Sequence, residues 1–219
     1  MSHRKRKALI IGAGIAGPVT AILLKRAGFE AAVYEAWSYS TGIGGGLQIA
    51  PNGMHVLNEI GLASELTSRG AVCESFDFYS QNGARLGSIN RNMQARFGQP
   101  AVNMKRAMLN EALVDKAWSS CVEMHFEKRL ARIEDRPDRP IVATFTDGST
   151  AEGDLLIGAD GVHSTVRQHP RRPKALRHRP PELWRFRAAV APRRCGVRPP
   201  HRGDVRPGER FLRLRLLQR

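Results

Sequence analysis

Near its start the chain reads Lys7-Ala8-Leu9-Ile10-Ile11-Gly12-Ala13-Gly14-Ile15-Ala16-Gly17. The apolar run that ends at Ile11 is typical of a buried parallel strand, and a glycine-rich turn follows it directly. In such a turn Gly12 permits the tight bend, Gly14 lets the backbone approach a pyrophosphate, and Gly17 lets the next helix lie close to the strand. The segment therefore predicts the first half of a dinucleotide-binding βαβ unit.

The helix that follows supplies the phosphate-binding end of this unit. Its apolar positions are Ile15, Val19, Ile22 and Leu23, and Gly28 ends it after a basic last turn. The backbone amides of the first turn, including those of Ile15 and Ala16, have no partner within the helix. Together with the helix dipole they would face the phosphates.

A second apolar strand, residues 31–34, ends directly before Glu35, about twenty residues after the glycines. A carboxylate at this point can accept hydrogen bonds from both ribose hydroxyls of a bound nucleotide. It also disfavours a 2'-phosphate by like-charge repulsion, so the predicted ligand is FAD or NAD rather than NADP. The alternative is that Glu35 is a solvated charge at the end of a strand.

The charge of the chain is distributed unevenly. Its 219 residues carry a formal net charge of +15, which would ordinarily indicate nucleic acid or an acidic membrane surface as partner. However, residues 1–167 hold 19 Lys and Arg against 17 Asp and Glu, whereas residues 168–219 hold 16 against 3. The first part is close to neutral, so nucleic acid is not a predicted partner of that part.

The sequence contains no pattern for a disulfide framework or a metal site. The three cysteines, Cys73, Cys121 and Cys195, occur without a Cys-x-x-Cys pair or clustered histidines, which favours a reducing, cytoplasmic setting. No apolar run approaches the roughly twenty residues of a membrane span. The histidines are isolated in the sequence, so no catalytic base is assigned.

The middle of the chain departs from a plain alternation of strands and helices. Residues 37–49 are too rich in glycine for a regular element, and glycines 44–46 indicate a backbone that passes close to the bound nucleotide. A helix with Val56 among its apolar positions is predicted to start at Pro51, and a hairpin is predicted around residues 81–83. These elements indicate a mostly antiparallel β layer inserted into an α/β domain with a parallel central sheet.

A second glycine motif lies more than a hundred residues after the first. A helix is predicted at residues 105–117, with Arg106 in its first turn. A positive charge at a helix N-terminus is unfavourable because of the helix dipole, so the position of Arg106 indicates a nearby group for it to contact, such as a phosphate. A later strand, residues 151–157, runs into Gly158-Ala159-Asp160-Gly161. Asp160 can order this turn or hold a basic group near the pyrophosphate, and Ser164 starts a short helix behind it.

Together these segments resemble the class A flavin-dependent aromatic hydroxylases, which have the para-hydroxybenzoate hydroxylase fold and include salicylate-type and urate-type enzymes. The resemblance covers residues 7–169 and rests on the order of its motifs: Gly12-x-Gly14-x-x-Gly17; Tyr34-Glu35-Ala36; Gln48-Ile49-Ala50-Pro51-Asn52-Gly53; Lys105-Arg106-Ala107-Met108-Leu109; and Gly158-Ala159-Asp160-Gly161. It implies a Rossmann-like FAD-binding domain at residues 1–167, in which residues 71–104 belong to a substrate-side layer.

The resemblance also implies roles for individual residues. Glu35, followed by Ala36, would bind the adenosine ribose of FAD. Gln48 and Arg106 would contact its phosphate and ribityl region, and this contact would explain the positive charge of Arg106 at a helix N-terminus. Leu130 would lie by the adenine.

The same resemblance implies a monooxygenase reaction. NAD(P)H would reduce FAD transiently, and one oxygen atom of O2 would be inserted into a small aromatic or related substrate. Asp160 would belong to the motif that such enzymes use for both FAD and the nicotinamide donor. Related flavoproteins with the same fold include epoxidases and reductases.

The last part of the chain departs from the family. The family's further Gly-Asp motif, which closes the FAD site around the flavin ring, has no match, since Gly203-Asp204 lacks a strand and helix around it. Residues 168–219 hold 15 Arg and 8 Pro, which predicts an irregular or disordered tail. We expect a C-terminally truncated member of the family with a frameshifted tail. Translation of the gene in its other two frames past codon 168 tests this, because one of them should then encode the missing motif.

Two alternatives to a complete monooxygenase remain open. The chain would be an inactive N-terminal fragment with at most FAD binding, or an FAD-binding protein whose basic tail binds nucleic acid or anionic surfaces through phosphate contacts.

Overall fold

The computed structural model describes residues 5–39, 44–90, 92–137 and 139–169. The described helices are α1 (Ala16–Arg26), α2 (Pro51–Glu59), α3 (Ala63–Arg69), α4 (Met93–Phe97), α5 (Arg106–Ser119) and α6 (Thr165–Gln168). The described strands are β1 (Lys7–Ile11), β2 (Glu30–Tyr34), β3 (Gly46–Ile49), β4 (Ala71–Val72), β5 (Ser75–Tyr79), β6 (Arg85–Asn90), β7 (Val102–Lys105), β8 (Glu123–His125), β9 (Leu130–Glu134), β10 (Ile141–Phe145), β11 (Thr150–Gly153) and β12 (Leu155–Gly158). Of the predicted tail, residues 168–219, only Gln168 and His169 are among the described residues.

The centre of the fold is a parallel sheet in the strand order β12-β1-β2-β8. Its strand β1 alternates between two cores, since Ala8 and Ile10 join one while Leu9 and Ile11 join the other. Because both faces of a parallel sheet are covered, its strands are continuous apolar runs. The predicted strand at residues 7–11 and the predicted parallel central sheet are confirmed.

Helices cover one face of this sheet, and strands cover the other. On the helical side α1 packs on α5, and Ile22, Leu109 and Leu113 are buried in the shared core. On the other side the antiparallel sheet β11-β10-β9 packs Phe145 into the core around Leu9. A second antiparallel sheet, β3-β7-β4, and the hairpin β5–β6 lie between β2 and α5 in the sequence. The predicted α/β fold with an inserted, mostly antiparallel layer is therefore confirmed. No helix in the described part of the chain combines the length and apolar character needed to cross a membrane.

The glycine-rich segment contains a strand that the sequence did not predict. Residues Gly46–Ile49 form β3, which pairs antiparallel with β7 so that Gln48 lies opposite Asn103. Pairing with a distant strand overrides the low strand preference of glycine, because strand formation depends on cross-strand neighbours. The expectation that residues 37–49 are all irregular is therefore wrong at β3.

The predicted strand of residues 151–157 is two strands in different sheets. β11 ends at Gly153 in the antiparallel sheet, and β12 begins at Leu155 in the parallel sheet. Between them the Asp154 N–H donates to the Lys7 carbonyl over 2.7 Å, and Asp154 Oδ2 accepts the Lys7 N–H over 2.7 Å. This paired contact turns the chain from one layer to the other.

Two of the apolar positions on the predicted helices lie outside the core. Leu23 in α1 is 38% exposed and Val56 in α2 is 42% exposed, whereas Ala21 and Met54 are fully buried. In α1 the close contact of Gly17 with the turn before it directs the row through Gly17 and Ala21 toward the sheet. Leu23 lies two residues past this row and points away from the core.

Gly153 is required by the close packing of the two layers. A Cβ at this position would lie 2.7 Å from Leu9 Cγ and 3.1 Å from the Lys7 carbonyl oxygen. We expect Gly153→Ala to lower the free energy of unfolding by about 1–3 kcal/mol through overpacking. Gly87→Ala is the matched control, because no described residue other than its chain neighbours lies within 4 Å of a Cβ built at this strand glycine. Urea unfolding of both variants tests the prediction, and an equal loss of stability in the two would contradict it.

Candidate nucleotide-binding site

The two glycine motifs meet at the carboxyl edge of the parallel sheet. Gly12 follows β1 directly, and its N–H donates to the Tyr34 carbonyl over 2.8 Å. The Ala159 N–H, just after β12, donates to the Ile11 carbonyl over 2.7 Å. A Cβ on Gly12 would lie 2.5 Å from the Ala159 carbonyl oxygen, and φ at Gly12 is +106°. Both steric space and backbone conformation therefore require glycine at position 12.

The remaining two glycines of the first motif differ in their surroundings. A Cβ on Gly17 would lie 1.9 Å from the Gly12 carbonyl oxygen, so the approach of α1 to the turn excludes any side chain. By contrast, among the described residues other than its chain neighbours nothing lies within 4 Å of a Cβ built on Gly14, and its φ is not in the left-handed region. The described part of the chain does not require glycine at position 14. A ligand that fills this space would require it, which fits a pyrophosphate.

The N-terminus of α1 is open to an anion. Among the described residues no side chain caps it, and its first turn contains no acidic residue. Ile15 is the N-cap residue and packs its side chain on the core, while Ala16 at the first helical position is exposed. The unpaired amides and the dipole of this 11-residue helix favour a negative group here.

Glu35 fixes the glycine turn from the end of the neighbouring strand. Its Oε2 accepts the Ala13 N–H over 2.6 Å, and its Oε1 accepts the Trp37 N–H over 3.1 Å. The residue is half-buried, so a merely solvated strand-end charge does not describe it. Each carboxylate oxygen can accept a second hydrogen bond, so Glu35 retains capacity for ribose hydroxyls.

The segment around Ala36 and Leu130 lies beside Glu35. The Lys128 N–H donates to the Glu35 carbonyl over 2.7 Å, and the Arg129 guanidinium lies 4.5 Å from the centre of the exposed Trp37 ring. Ala36 is half-buried, whereas the Leu130 side chain is 6% exposed within the core that contains Phe145. Any contact of Leu130 with a ligand would therefore come from its backbone.

Arg106 and Gln48 belong to the inserted layer and its junction with α5. Arg106 is the first residue of α5, and its N–H donates to the Gly45 carbonyl over 2.9 Å. A Cβ on Gly44 would lie 3.2 Å from Arg106 Cβ, so the glycine segment fits closely around this residue. Gln48 lies further along β3, where its Nε2 donates to Asn103 Oδ1 over 3.0 Å.

Asp160 orders the turn of the second motif. Its Oδ1 accepts the Ser164 hydroxyl over 2.6 Å, and its Oδ2 accepts the N–H groups of Thr165 and Val166 over 2.7 and 3.2 Å. Ser164 in turn accepts the Arg167 N–H over 3.0 Å as the N-cap of α6, the short helix predicted at this point. Of the two roles considered for Asp160, these contacts are those of loop ordering.

Tyr34 closes the core directly under this edge of the sheet. Its ring stacks on those of His125 and Phe145, with centroid distances of 4.8 Å in both pairs. Burial and, to a smaller extent, the charge of Glu123 raise the pKa of the Tyr34 phenol. His125 therefore contributes to packing beneath the site.

One residue at the site was not predicted from the sequence. Asn110, in α5, donates from Nδ2 to the carbonyl oxygens of Ala13 and Gly14 over 2.8 and 2.9 Å. The signal that was available is its position four residues after Arg106, which places both on one face of the helix. The structure thus brings together the glycine turn, Glu35, Asn110 and the Asp160 turn.

The comparisons with known proteins agree with this arrangement. Residues 5–173 match the family model described as FAD binding domain. The chain is 35% identical over 171 residues to 3-amino-4-hydroxybenzoate 2-monooxygenase of Streptomyces cremeus, covering 77% of this chain and 43% of that protein. It is 34% identical over 164 residues to FAD-dependent urate hydroxylase of Klebsiella pneumoniae, covering 74% and 42%.

Solved structures give the same result. The Klebsiella pneumoniae HpxO complex with FAD and uric acid has a TM-score of 0.65 at 32% identity, covering 74% of this chain and 41% of that one. The tetrameric form of 2-methyl-3-hydroxypyridine-5-carboxylic acid oxygenase has a TM-score of 0.65 at 28% identity, covering 75% and 42%. The chain spans less than half the length of the relatives it matches.

Proposed function

This chain belongs to the FAD binding domain family that the class A flavin-dependent aromatic hydroxylases share, and on that basis we propose that it provides the FAD-binding part of a monooxygenase acting on a small aromatic or related substrate. The observation that supports this most is the open space at Gly14, between the first turn of α1 and Glu35. A pyrophosphate and its ribose are the groups that fit a site of this chemistry.

Different residues would contact the different parts of FAD. The first-turn amides of α1, at Ile15, Ala16 and Gly17, would bind the pyrophosphate. Glu35 would accept the adenosine ribose hydroxyls. The backbone at Ala36 and Leu130 would contact the adenine.

The inserted layer would hold the other half of the cofactor. Arg106 and Gln48 would contact the phosphate and ribityl region, and Asp160 would keep its turn packed against Gly12. Residues 71–104, which include the hairpin β5–β6, would face the substrate. The FAD-binding domain proposed here comprises residues 1–167.

When bound, FAD supplies the redox chemistry, accepting electrons from NAD(P)H and reacting with O2. The residues of this chain would bind and orient the adenosine diphosphate half, and none of them is assigned a proton-transfer role. A cytoplasmic setting belongs to this proposal, because the cysteines follow no disulfide pattern. Because the chain spans less than half of its relatives' length, FAD binding and turnover require separate tests.

The first test is the visible spectrum of the purified full chain after incubation with FAD and removal of free flavin. We expect flavin absorption to remain with the protein at close to one flavin per chain, whereas FMN, which lacks the adenosine half, should wash away. A chain that retains no FAD would overturn the proposal. If FAD is retained, the second assay measures the oxidation of NADH and of NADPH in the presence of hydroxybenzoates, hydroxypyridine carboxylates and urate. The oxygen atom in any product is traced from 18O2. Retained FAD without product would restrict the function to FAD binding.

A further inference from the structure

We propose that Asn110 is a positioning residue that aims the amides of Gly14 and Ile15 at the pyrophosphate of the bound nucleotide. This inference rests on the proposed FAD binding and adds to it the residue that sets the direction of the anion-binding groups. Its basis is the pair of hydrogen bonds from one side-chain nitrogen to two consecutive carbonyl groups of the glycine turn.

The chemistry of the two contacts determines the orientation of the Asn110 amide. Both partners, the Ala13 and Gly14 carbonyl oxygens, can only accept. The side chain must therefore present its nitrogen, whose two hydrogens are enough for both acceptors. With distances of 2.8 and 2.9 Å, both contacts have the usual length of an N–H···O hydrogen bond.

Because the peptide bond is planar, these two contacts also fix the direction of the Gly14 and Ile15 N–H groups. In a trans peptide the C=O and the following N–H point in opposite directions. Holding the Ala13 carbonyl toward Asn110 therefore turns the Gly14 N–H away from it, and holding the Gly14 carbonyl does the same for the Ile15 N–H. Within the described part of the chain neither of these two amides has a hydrogen-bond partner.

Glu35 holds the same turn from another side. The Ala13 N–H donates to Glu35 Oε2, while the Ala13 carbonyl accepts from Asn110. Three consecutive peptide groups, from 12–13 to 14–15, are thus fixed by two side chains. The space at the Gly14 Cα, which no described residue beyond its chain neighbours occupies within 4 Å of a Cβ, adjoins the Gly14 N–H that remains without a protein acceptor in the described chain.

Asn110 is itself rigidly placed. Its neighbours in α5, Leu109 and Leu113, are fully buried in the core that α1 shares. The side chain is half-buried and bridges from α5 to a loop nearly a hundred residues away in the sequence. An amide on a fixed helix thereby determines the anion-binding geometry before the ligand arrives, which lowers the ordering cost of binding.

The test compares ADP with adenosine, which differ only in the two phosphates, and includes FAD as the whole cofactor. Asn110→Leu keeps the approximate volume and removes both donors, and Asn110→Asp keeps the shape but faces the two carbonyls with a carboxylate. We expect each variant of the full chain to bind FAD and ADP at least about tenfold more weakly, the effect of one or two lost hydrogen bonds. Binding of adenosine, measured by NMR titration, should change less than about twofold, the resolution of such a titration.

A second readout follows the amides directly. In the wild type the Gly14 and Ile15 amide resonances should shift strongly on addition of ADP, and these shifts should be reduced in both variants. Asn58→Leu, the same substitution at an exposed position of α2, is the control and should leave FAD and ADP binding unchanged.

The outcomes separate this inference from the proposed function. If the wild-type chain does not bind FAD, the proposed function fails. If the wild type binds FAD and the Asn110 variants bind ADP as tightly as it does, the inference fails and FAD binding stands. Equal weakening of ADP and adenosine, with a lowered melting temperature in both variants, would make Asn110 a packing residue and would also overturn the inference.

Discussion

Gly14→Ala is expected to weaken FAD binding by the chain roughly ten- to hundredfold while leaving its thermal stability unchanged or slightly raised. In the part of the chain that the structure describes, apart from the two neighbouring residues, nothing lies within 4 Å of the added Cβ, and the backbone of Gly14 is not in the left-handed region. The methyl group would instead occupy the space where the pyrophosphate approaches the turn. FAD affinity is measured by quenching of flavin fluorescence, and stability by thermal unfolding of the chain without ligand.

Gly17→Ala is the matched comparison for this experiment, because its added Cβ would lie 1.9 Å from the Gly12 carbonyl oxygen. This clash is with backbone and lies inside the β1–α1 unit, so both the stability and the FAD affinity should fall. Equal destabilisation by the two substitutions would show that the protein, and not a ligand, needs the space at Gly14.

Glu35→Ala is expected to reduce the FAD affinity by roughly ten- to hundredfold, the loss that hydrogen bonds to a charged group account for. The substitution removes the acceptor of the Ala13 and Trp37 N–H groups and, with it, the proposed acceptor of the ribose hydroxyls. The effect is measured by titration with FAD and with ADP, which shares the ribose.

The control for this prediction is Glu30→Ala, at the exposed opposite end of β2. It removes the same charge from the other end of the same segment and should leave the FAD affinity within about twofold, as expected for a surface substitution. A similar loss of affinity in both variants would point to the net charge of the strand and would contradict a specific role of Glu35.

The parts of the fold that follow from local backbone requirements were predictable from the sequence. The turn at Gly12 and the close approach of α1 to this turn at Gly17 both need glycine. A strand–turn–helix pattern in the sequence is enough to predict both requirements. Glu35 was predictable as well, because the length of a βαβ unit places the end of the second strand beside the first turn. The structure adds that its carboxylate holds Ala13, which the pattern does not specify.

Features that depend on contacts between distant segments were not predictable. β3 forms because it pairs with β7, and no residue type in the Gly46–Ile49 segment indicates this pairing. The division between β11 and β12 at Asp154 depends on its two hydrogen bonds with Lys7, 147 residues away. In each of these pairs at least one partner is a backbone group, and backbone groups have no sequence signature.

Asn110 was missed for the same reason. Its partners are the carbonyl groups of Ala13 and Gly14, 97 and 96 residues earlier, and any residue type could carry those carbonyls. A polar residue inside a helix is usually solvated, so its type alone indicates nothing. Only the packing of α5 against α1 gives it a role at the site.

The meeting of the two glycine motifs is the clearest link between sequence and structure in this chain. They are separated by more than a hundred residues, yet the Ala159 carbonyl oxygen lies 2.5 Å from the point where a Cβ on Gly12 would stand. This contact fits two turns that fold together at one edge of a parallel sheet, where nucleotides bind in such folds.

The described residues of this chain are proposed to form a site for the adenosine diphosphate half of FAD. Calorimetric titration of FAD into the full chain in the presence of excess ADP or excess FMN tests this assignment most directly. We expect ADP to compete with FAD and to lower its apparent affinity in proportion to the ADP concentration, whereas FMN at the same concentration should lower it far less. FMN competing as well as ADP, or FAD binding that ADP leaves unchanged, would contradict the assignment.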